Sequence, residues 1–197
     1  LVKAVGREDL HPYVGQTVGQ IAQAEGKHLV DALFDLVTSD NLDTQLALPS
    51  EPNNPEGAAE VTRSPYTITG QSDGGAHIKL RAAGGYGTEL LAWVARDHEL
   101  LSLEEAHYKL SFLPAFACGL RDRGFLREGA AADIVVYDLE KLRVGPSEVS
   151  QDLPGGDWRW IQRSEGYRWT IVNGQVTLED GKPTGALSGR LLRHGAP

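Results

Sequence analysis

Ser72-Asp73-Gly74-Gly75-Ala76-His77 stands just past the apolar run Tyr66-Thr67-Ile68-Thr69-Gly70, so an aspartate sits where a strand-like segment breaks into a glycine-bearing loop. A carboxylate at the C-terminal end of a barrel strand is well placed to hold a metal ion or to take a proton from water. The same residues also suit an ordinary strand-to-loop turn, because Asp and Gly are favoured in turns whatever the function. The flanking sequence decides between these readings.

Working outward, Val18, Ile21 and Ala22 recur at helical spacing before Gly26, and Leu29, Leu33, Leu36 and Val37 form a second apolar stripe. Two short amphipathic helices are expected there. Ser39 to Ser64 is polar and carries Pro49, Pro52 and Pro55, which reads as a loop. Beyond Gly87, Leu90, Leu91, Val94 and Ala95 share one face of a helix that stops near Asp97-His98. Ser102-Leu103-Glu104-Glu105 is a capping box opening another helix, with Leu103, Ala106 and Leu110 on one side, a break at Pro114 and a short second helix closed by Gly119. After Gly124 the pattern turns to strands: Ile134-Val135-Val136-Tyr137, then Thr170-Ile171-Val172 and Gln175-Val176-Thr177-Leu178 around Asn173-Gly174, a strong hairpin signal. Trp158, Trp160, Tyr167 and Trp169 punctuate what reads as a loop-rich segment, as packing anchors first and a substrate wall second.

Composition narrows the function classes. The net charge of −8 and pI near 5.2 repel a phosphate backbone, which argues against nucleic acid as a partner. No apolar run approaches the roughly 20 residues that span a bilayer, and the charges within Leu1 to Asp9 occupy the place of a signal peptide's apolar segment. A cytoplasmic protein without a membrane partner is expected. The one cysteine, Cys118, reads as a small buried side chain. With 197 residues the chain is shorter than the roughly 250 of a full eight-stranded α/β barrel, and it has no methionine, which together suggest a fragment, a processed chain or a natural truncation.

Gly124-Phe125-Leu126-Arg127-Glu128-Gly129 leads into Ala132-Asp133-Ile134-Val135-Val136-Tyr137-Asp138, and the chain closes with Ile171-Val172-Asn173-Gly174 and Gly181-Lys182-Pro183-Thr184-Gly185. In that order and spacing, from about Thr17 to Arg193, the sequence resembles the C-terminal part of an amidohydrolase-superfamily enzyme, nearest the N-acyl-D-amino-acid deacylase (D-aminoacylase-like) group. The resemblance implies an α/β fold: the C-terminal part of a metal-dependent TIM barrel over residues 1–123, then strands of a small β-sandwich and a tail over 124–197. It implies hydrolysis of a non-peptide carbon-nitrogen bond, such as that of an N-acyl-D-amino acid, with zinc as cofactor. The partners are then a small-molecule amide substrate, an N-terminal portion of the same enzyme and further copies of the chain.

The resemblance makes Asp73 both a metal contact and the catalytic general base, then acid. The histidines, His11, His28, His77, His98, His107 and His194, include no pair at i, i+4 or one residue apart, so the other zinc ligands are expected outside this chain. His77, within loop reach of the same pocket, is a substrate-binding candidate or a surface histidine. Close relatives carry His-Pro-Arg here, whose arginine grips a substrate carboxylate through paired hydrogen bonds. This chain keeps Gly87-Thr88 but lacks that tripeptide, leaving Lys79 and Arg81 as the nearby cations. Arg81 is the substrate-binding candidate of the two, against a solvated loop charge for each. Gly84-Gly85-Tyr86-Gly87 lacks the spacing of a phosphate loop and reads as backbone freedom near the site, and His107 reads as a surface residue. A rival function is a non-catalytic module that binds or assembles with a partner chain.

Overall fold

The computed structural model describes residues 1–47, 54–70, 72, 74–79, 82 and 84–194. Its contacts divide the chain into two units, Leu1–Asn53 and Asn54–Pro197.

In the first unit, β1 (Val2–Ala4) is followed by a 3-10 turn (Glu8–Tyr13), α1 (Val18–Glu25), α2 (Leu29–Ser39) and β2 (Gln45–Leu46), which pairs antiparallel with β1. Thr17 starts α1 as a capping box: its hydroxyl accepts from the Gln20 amide at 3.1 Å, and Gln20 Oε1 accepts from the Thr17 amide at 2.8 Å. Both expected helices are present, although the stripe of the second is offset, since Ala32 and Leu36 are buried while Leu29 faces out. Val2, Leu10, Ile21 and Leu36 make the core. Asp40, 1% exposed at the end of α2, binds the chain entry instead of solvent. Its carboxylate accepts from the amides of Gly6 at 3.0 Å and Arg7 at 2.8 Å and from the Thr44 hydroxyl at 2.6 Å.

The second unit opens with α3 (Pro55–Arg63), which corrects the loop expected from Ser39 to Ser64. Prolines are loop signals, but a proline in the first turn has no amide to waste and a φ already helical. The Asn54 side chain caps that turn by accepting from the Gly57 amide at 2.7 Å. The strand expected over Tyr66–Gly70 is also absent: Thr67 turns its amide and hydroxyl back onto Ser64 O, and Tyr66 is 95% exposed. A strand requires a neighbouring strand to take its backbone groups; here local bonds hold the Tyr66 and Thr67 amides, and the side chains of Lys109 and Tyr86 take the carbonyls of Thr67 and Gly70.

α4 (Tyr86–Glu89) continues as a π-helical stretch, Leu90–Asp97. The capping box at Ser102 and Glu105 forms as expected and starts α5 (Leu103–His107). That helix does not break at Pro114. It widens into π-helical turns over Tyr108–Phe112 and runs on as α6 (Leu113–Ala117), with Pro114 in the first turn of α6 and Gly119 turning the chain away at φ +75. Cys118, expected to be buried, is exposed at the end of α6.

Strands follow: β3 (Ile134–Tyr137), β4 (Arg143–Ser150), β5 (Arg159–Glu165), β6 (Tyr167–Val172), β7 (Gln175–Glu179) and β8 (Lys182–Pro183). One antiparallel sheet has the order β3-β6-β7-β8, and β4 pairs with β5 in a second. The expected hairpin at Asn173-Gly174 is present, with φ +48 and +81, the two positive values that a tight turn between twisted strands demands. β4 and β5 correct the loop-rich reading around the tryptophans: Trp160 lies in β5 and Trp169 in β6. Between the helices and strands, Leu90, Leu91, Val94, Ala95, Ala106 and Leu142 form one core. Arg96 ties its rim by donating from Nη1 to Leu139 O at 2.6 Å and Leu142 O at 2.7 Å. The unit is mixed α/β, and its described strands pair antiparallel.

Candidate functional site

Asp73 and Arg81 lie outside the described residues, so the site is built from what surrounds them. Ser72 and Gly74 flank Asp73, and the Ser72 hydroxyl accepts from the Gly74 amide at 3.0 Å, a local turn bond. His77 is exposed, at φ +51, a left-handed conformation that puts its backbone at a sharp bend. The structure shows no hydrogen bond between His77 and another described side chain.

The loop is fixed to the body of its unit at several points. The Tyr86 hydroxyl reaches Gly70 O at 3.4 Å before the loop, and the Trp160 amide donates to Ile78 O at 2.8 Å after it. Lys79 pairs with Asp157 at 2.7 Å and lies 5.7 Å from the centroid of the Trp158 ring. Lys79, expected as a solvated loop charge, is therefore half-exposed and paired. The Lys79 hydrogen bond, followed by one from the Trp158 amide, holds the Asp157 carboxyl below its ordinary value. Trp158 and Trp160 meet edge to face with centroids 6.1 Å apart. Sequence reasoning missed Asp157 and the strand that carries Trp160. The chain signal was the alternation of Trp158 and Trp160 about Arg159, a period of two that belongs to a strand.

The Gly84-Gly85-Tyr86-Gly87 stretch has a different role from the backbone freedom expected of it. Gly85 has φ −83, open to any residue, but a Cβ there would stand 2.9 Å from Val144 Cγ2 on β4. Close approach of the helix start to that strand is what requires glycine. Thr88, next in line, is buried, and its hydroxyl meets Ser164 Oγ at 2.9 Å and Tyr167 OH at 2.8 Å, so this step of the sequence joins α4 to β5 and β6. His107 is exposed as expected and its Nε2 is 2.7 Å from Tyr137 OH. Burial raises the Tyr137 phenol above its ordinary value.

Among the described residues no group of three or more His, Cys, Asp or Glu is placed to hold a metal ion. Asp73, the metal contact that the resemblance implies, would supply one of the three protein ligands usual for catalytic zinc. The described residues therefore do not fit a zinc ion by themselves. Among them, too, no helix is long and apolar enough to cross a membrane.

Residues 30–178, a span that includes the Asp73 loop, the helices after it and the strands up to β7, match the amidohydrolase family. The chain belongs to that family. N-acyl-D-glutamate deacylase of Alcaligenes xylosoxydans xylosoxydans is 36% identical over 121 residues, covering 61% of this chain and 22% of that enzyme. An uncharacterized protein of Mycobacterium tuberculosis is 31% identical over 201 residues, 92% of this chain and 33% of its own length. A crystal structure of D-aminoacylase superposes with a TM-score of 0.57 at 25% identity, covering 98% of this chain and 37% of that one. The chain thus spans well under half of the length of these relatives.

Proposed function

We propose that the chain is the C-terminal part of an amidohydrolase that hydrolyses the amide bond of an N-acyl-D-amino acid. Residues 1–123 contribute to its barrel and 124–197 supply strands of a small β-sandwich. The observation that carries this reading is the family match over residues 30–178, a span that includes the Asp73 loop. Similarity to N-acyl-D-glutamate deacylase over 61% of the chain supports the substrate class.

In this reading Asp73 takes a proton from the attacking water and delivers it to the leaving nitrogen, splitting a difficult transfer into two short ones. His77 and Arg81 are the substrate-binding candidates. A guanidinium suits a free carboxylate because its parallel N–H groups match the two oxygens, and an N-acyl-amino acid presents such a carboxylate. Zinc enters through the family resemblance alone, with its remaining ligands outside the chain.

The test uses the complete enzyme, this chain together with its N-terminal portion, and an N-acetyl-D-amino acid, with the released amine measured. Asp73→Asn keeps the side-chain size and removes the proton acceptor, so kcat is expected to fall by at least about 10²-fold while KM changes much less. Metal content is measured on the same samples, so that a lost ion is told apart from lost proton transfer. Near-normal turnover by the metal-replete variant would refute the role of Asp73.

A further inference from the structure

Lys109 is only 7% exposed, which is unusual for a lysine. It lies three residues beyond Ala106, which is fully buried, so helical spacing puts both on the same inward face. There Nζ donates to Ser64 O at 2.8 Å and to Thr67 O at 3.3 Å. Both acceptors are backbone carbonyls, and both belong to the turn through which the chain passes from α3 toward Asp73. The turn is otherwise held by its own bonds: the Thr67 hydroxyl to Val61 O and to Ser64 O at 3.1 Å, and the Tyr66 amide to Ser64 Oγ at 3.3 Å. Those bonds stay within the turn and the end of α3. Lys109 attaches it to the π-helical stretch between α5 and α6.

We propose that Lys109 is a positioning residue for Asp73: it fixes the stem of the Asp73 loop to the helix begun by the capping box. The inference rests on the reading of Asp73 as the proton-transfer residue. Burying an amine costs free energy unless its donors are used, and here they are used on consecutive bends of one stem. The far side of the loop has separate attachments, the Ile78–Trp160 hydrogen bond and the Lys79–Asp157 pair. Described residues on both sides of Asp73 are thus tied to the unit, and misplacement of a catalytic group by about 1 Å costs roughly 10²-fold in rate. Removing the Lys109 donors leaves the near end held only by the longer Tyr86–Gly70 O contact at 3.4 Å, while the far end keeps both of its attachments. Turnover then falls while substrate affinity, set by other groups, changes less.

The experiment compares Lys109→Met, Lys109→Arg and Asp73→Asn in the complete enzyme, using the same amide hydrolysis assay and hydrogen exchange. Lys109→Met keeps an unbranched side chain of similar girth but has no donor, and kcat is expected to fall about 10- to 100-fold with KM within about threefold. Lys109→Arg, which restores donors at the end of the chain, is expected to recover most of that loss. Adding Lys109→Met to Asp73→Asn should lower kcat no further, since a misplaced carboxylate and an absent one are the same defect. Exchange should accelerate across 64–79 but not in the hairpin of β6 and β7. Full kcat in Lys109→Met alongside an inactive Asp73→Asn would overturn the positioning role while leaving that of Asp73 standing. An active Asp73→Asn would overturn both. Exchange accelerated equally in the loop and the hairpin, or failure of the Met variant to fold, with no recovery by Arg, would reduce Lys109 to a general stabiliser and overturn the inference.

Discussion

Replacing Gly166 by alanine is expected to damage the second unit far more than the same replacement at Gly129. Gly166 alone joins β5 to β6, at φ +93, and its carbonyl accepts from the Asp138 amide at 2.8 Å, which locks the turn to the end of β3. A Cβ on Gly166 would lie 2.7 Å from both Cα and N of Leu142, a residue with 0% exposure whose backbone has nowhere to retreat. The positive φ costs an L-residue about 1–2 kcal/mol, and forcing packed backbone apart adds about 1–3 kcal/mol. The sum, roughly 2–5 kcal/mol, is a large part of the 5–15 kcal/mol that holds a typical domain. Gly129 has a similar φ of +82 but no atom within 4 Å of its would-be Cβ, so it isolates the conformational cost of about 1–2 kcal/mol.

Urea unfolding followed by tryptophan fluorescence is the assay. Trp93, Trp158, Trp160 and Trp169 all lie in Asn54–Pro197, so the signal reports that unit alone. With an m-value of about 2 kcal/mol per molar, the Gly166→Ala midpoint should drop by roughly 1–2.5 M and that of Gly129→Ala by no more than about 1 M. Equal drops would refute the reasoning, because they would mean that crowding against Leu142 contributes nothing.

Asp40 gives the first unit a defined acid limb. Its pKa is lowered chiefly by the Thr44 hydrogen bond, with the Gly6 and Arg7 amides adding to it and burial opposing. A depressed folded-state value means the carboxylate stabilises above the ordinary aspartate pKa of about 3.9, and that contribution is lost as pH falls through the lower folded value. The Gly6 and Arg7 amide resonances should therefore hold their positions through that range and move only at lower pH, whereas in Asp40→Asn they should already be displaced at pH 7. Identical titrations in both proteins would remove Asp40 from the account. Ser102→Ala, which takes the acceptor from the Glu105 amide, should destabilise the second unit by about 1 kcal/mol in the same urea assay; no change would show that the cap is redundant with packing.

The sequence by itself determined the elements whose signals are local. The helix at Ser102 follows from a hydroxyl and a carboxyl three residues apart, the hairpin at Asn173-Gly174 from two residues that tolerate positive φ, and the helical stripes from spacing along one chain. Each is settled within a few residues, so no distant contact was needed to read it. It also determined the family, because an ordered series of motifs survives when each motif alone is weak. Only the tertiary structure decided that Tyr66–Gly70 is not a strand, since a strand depends on a partner that the run itself does not encode. The same holds for β4 and β5, whose pairing makes a sheet from what looked like a tryptophan-bearing loop. Most of what frames the Asp73 loop was illegible for the same reason. Lys109 is 42 residues from Thr67, and Trp160 far from Ile78, so a buried lysine on an apolar face and a backbone amide on a strand gain meaning only when folding brings their carbonyl partners to them.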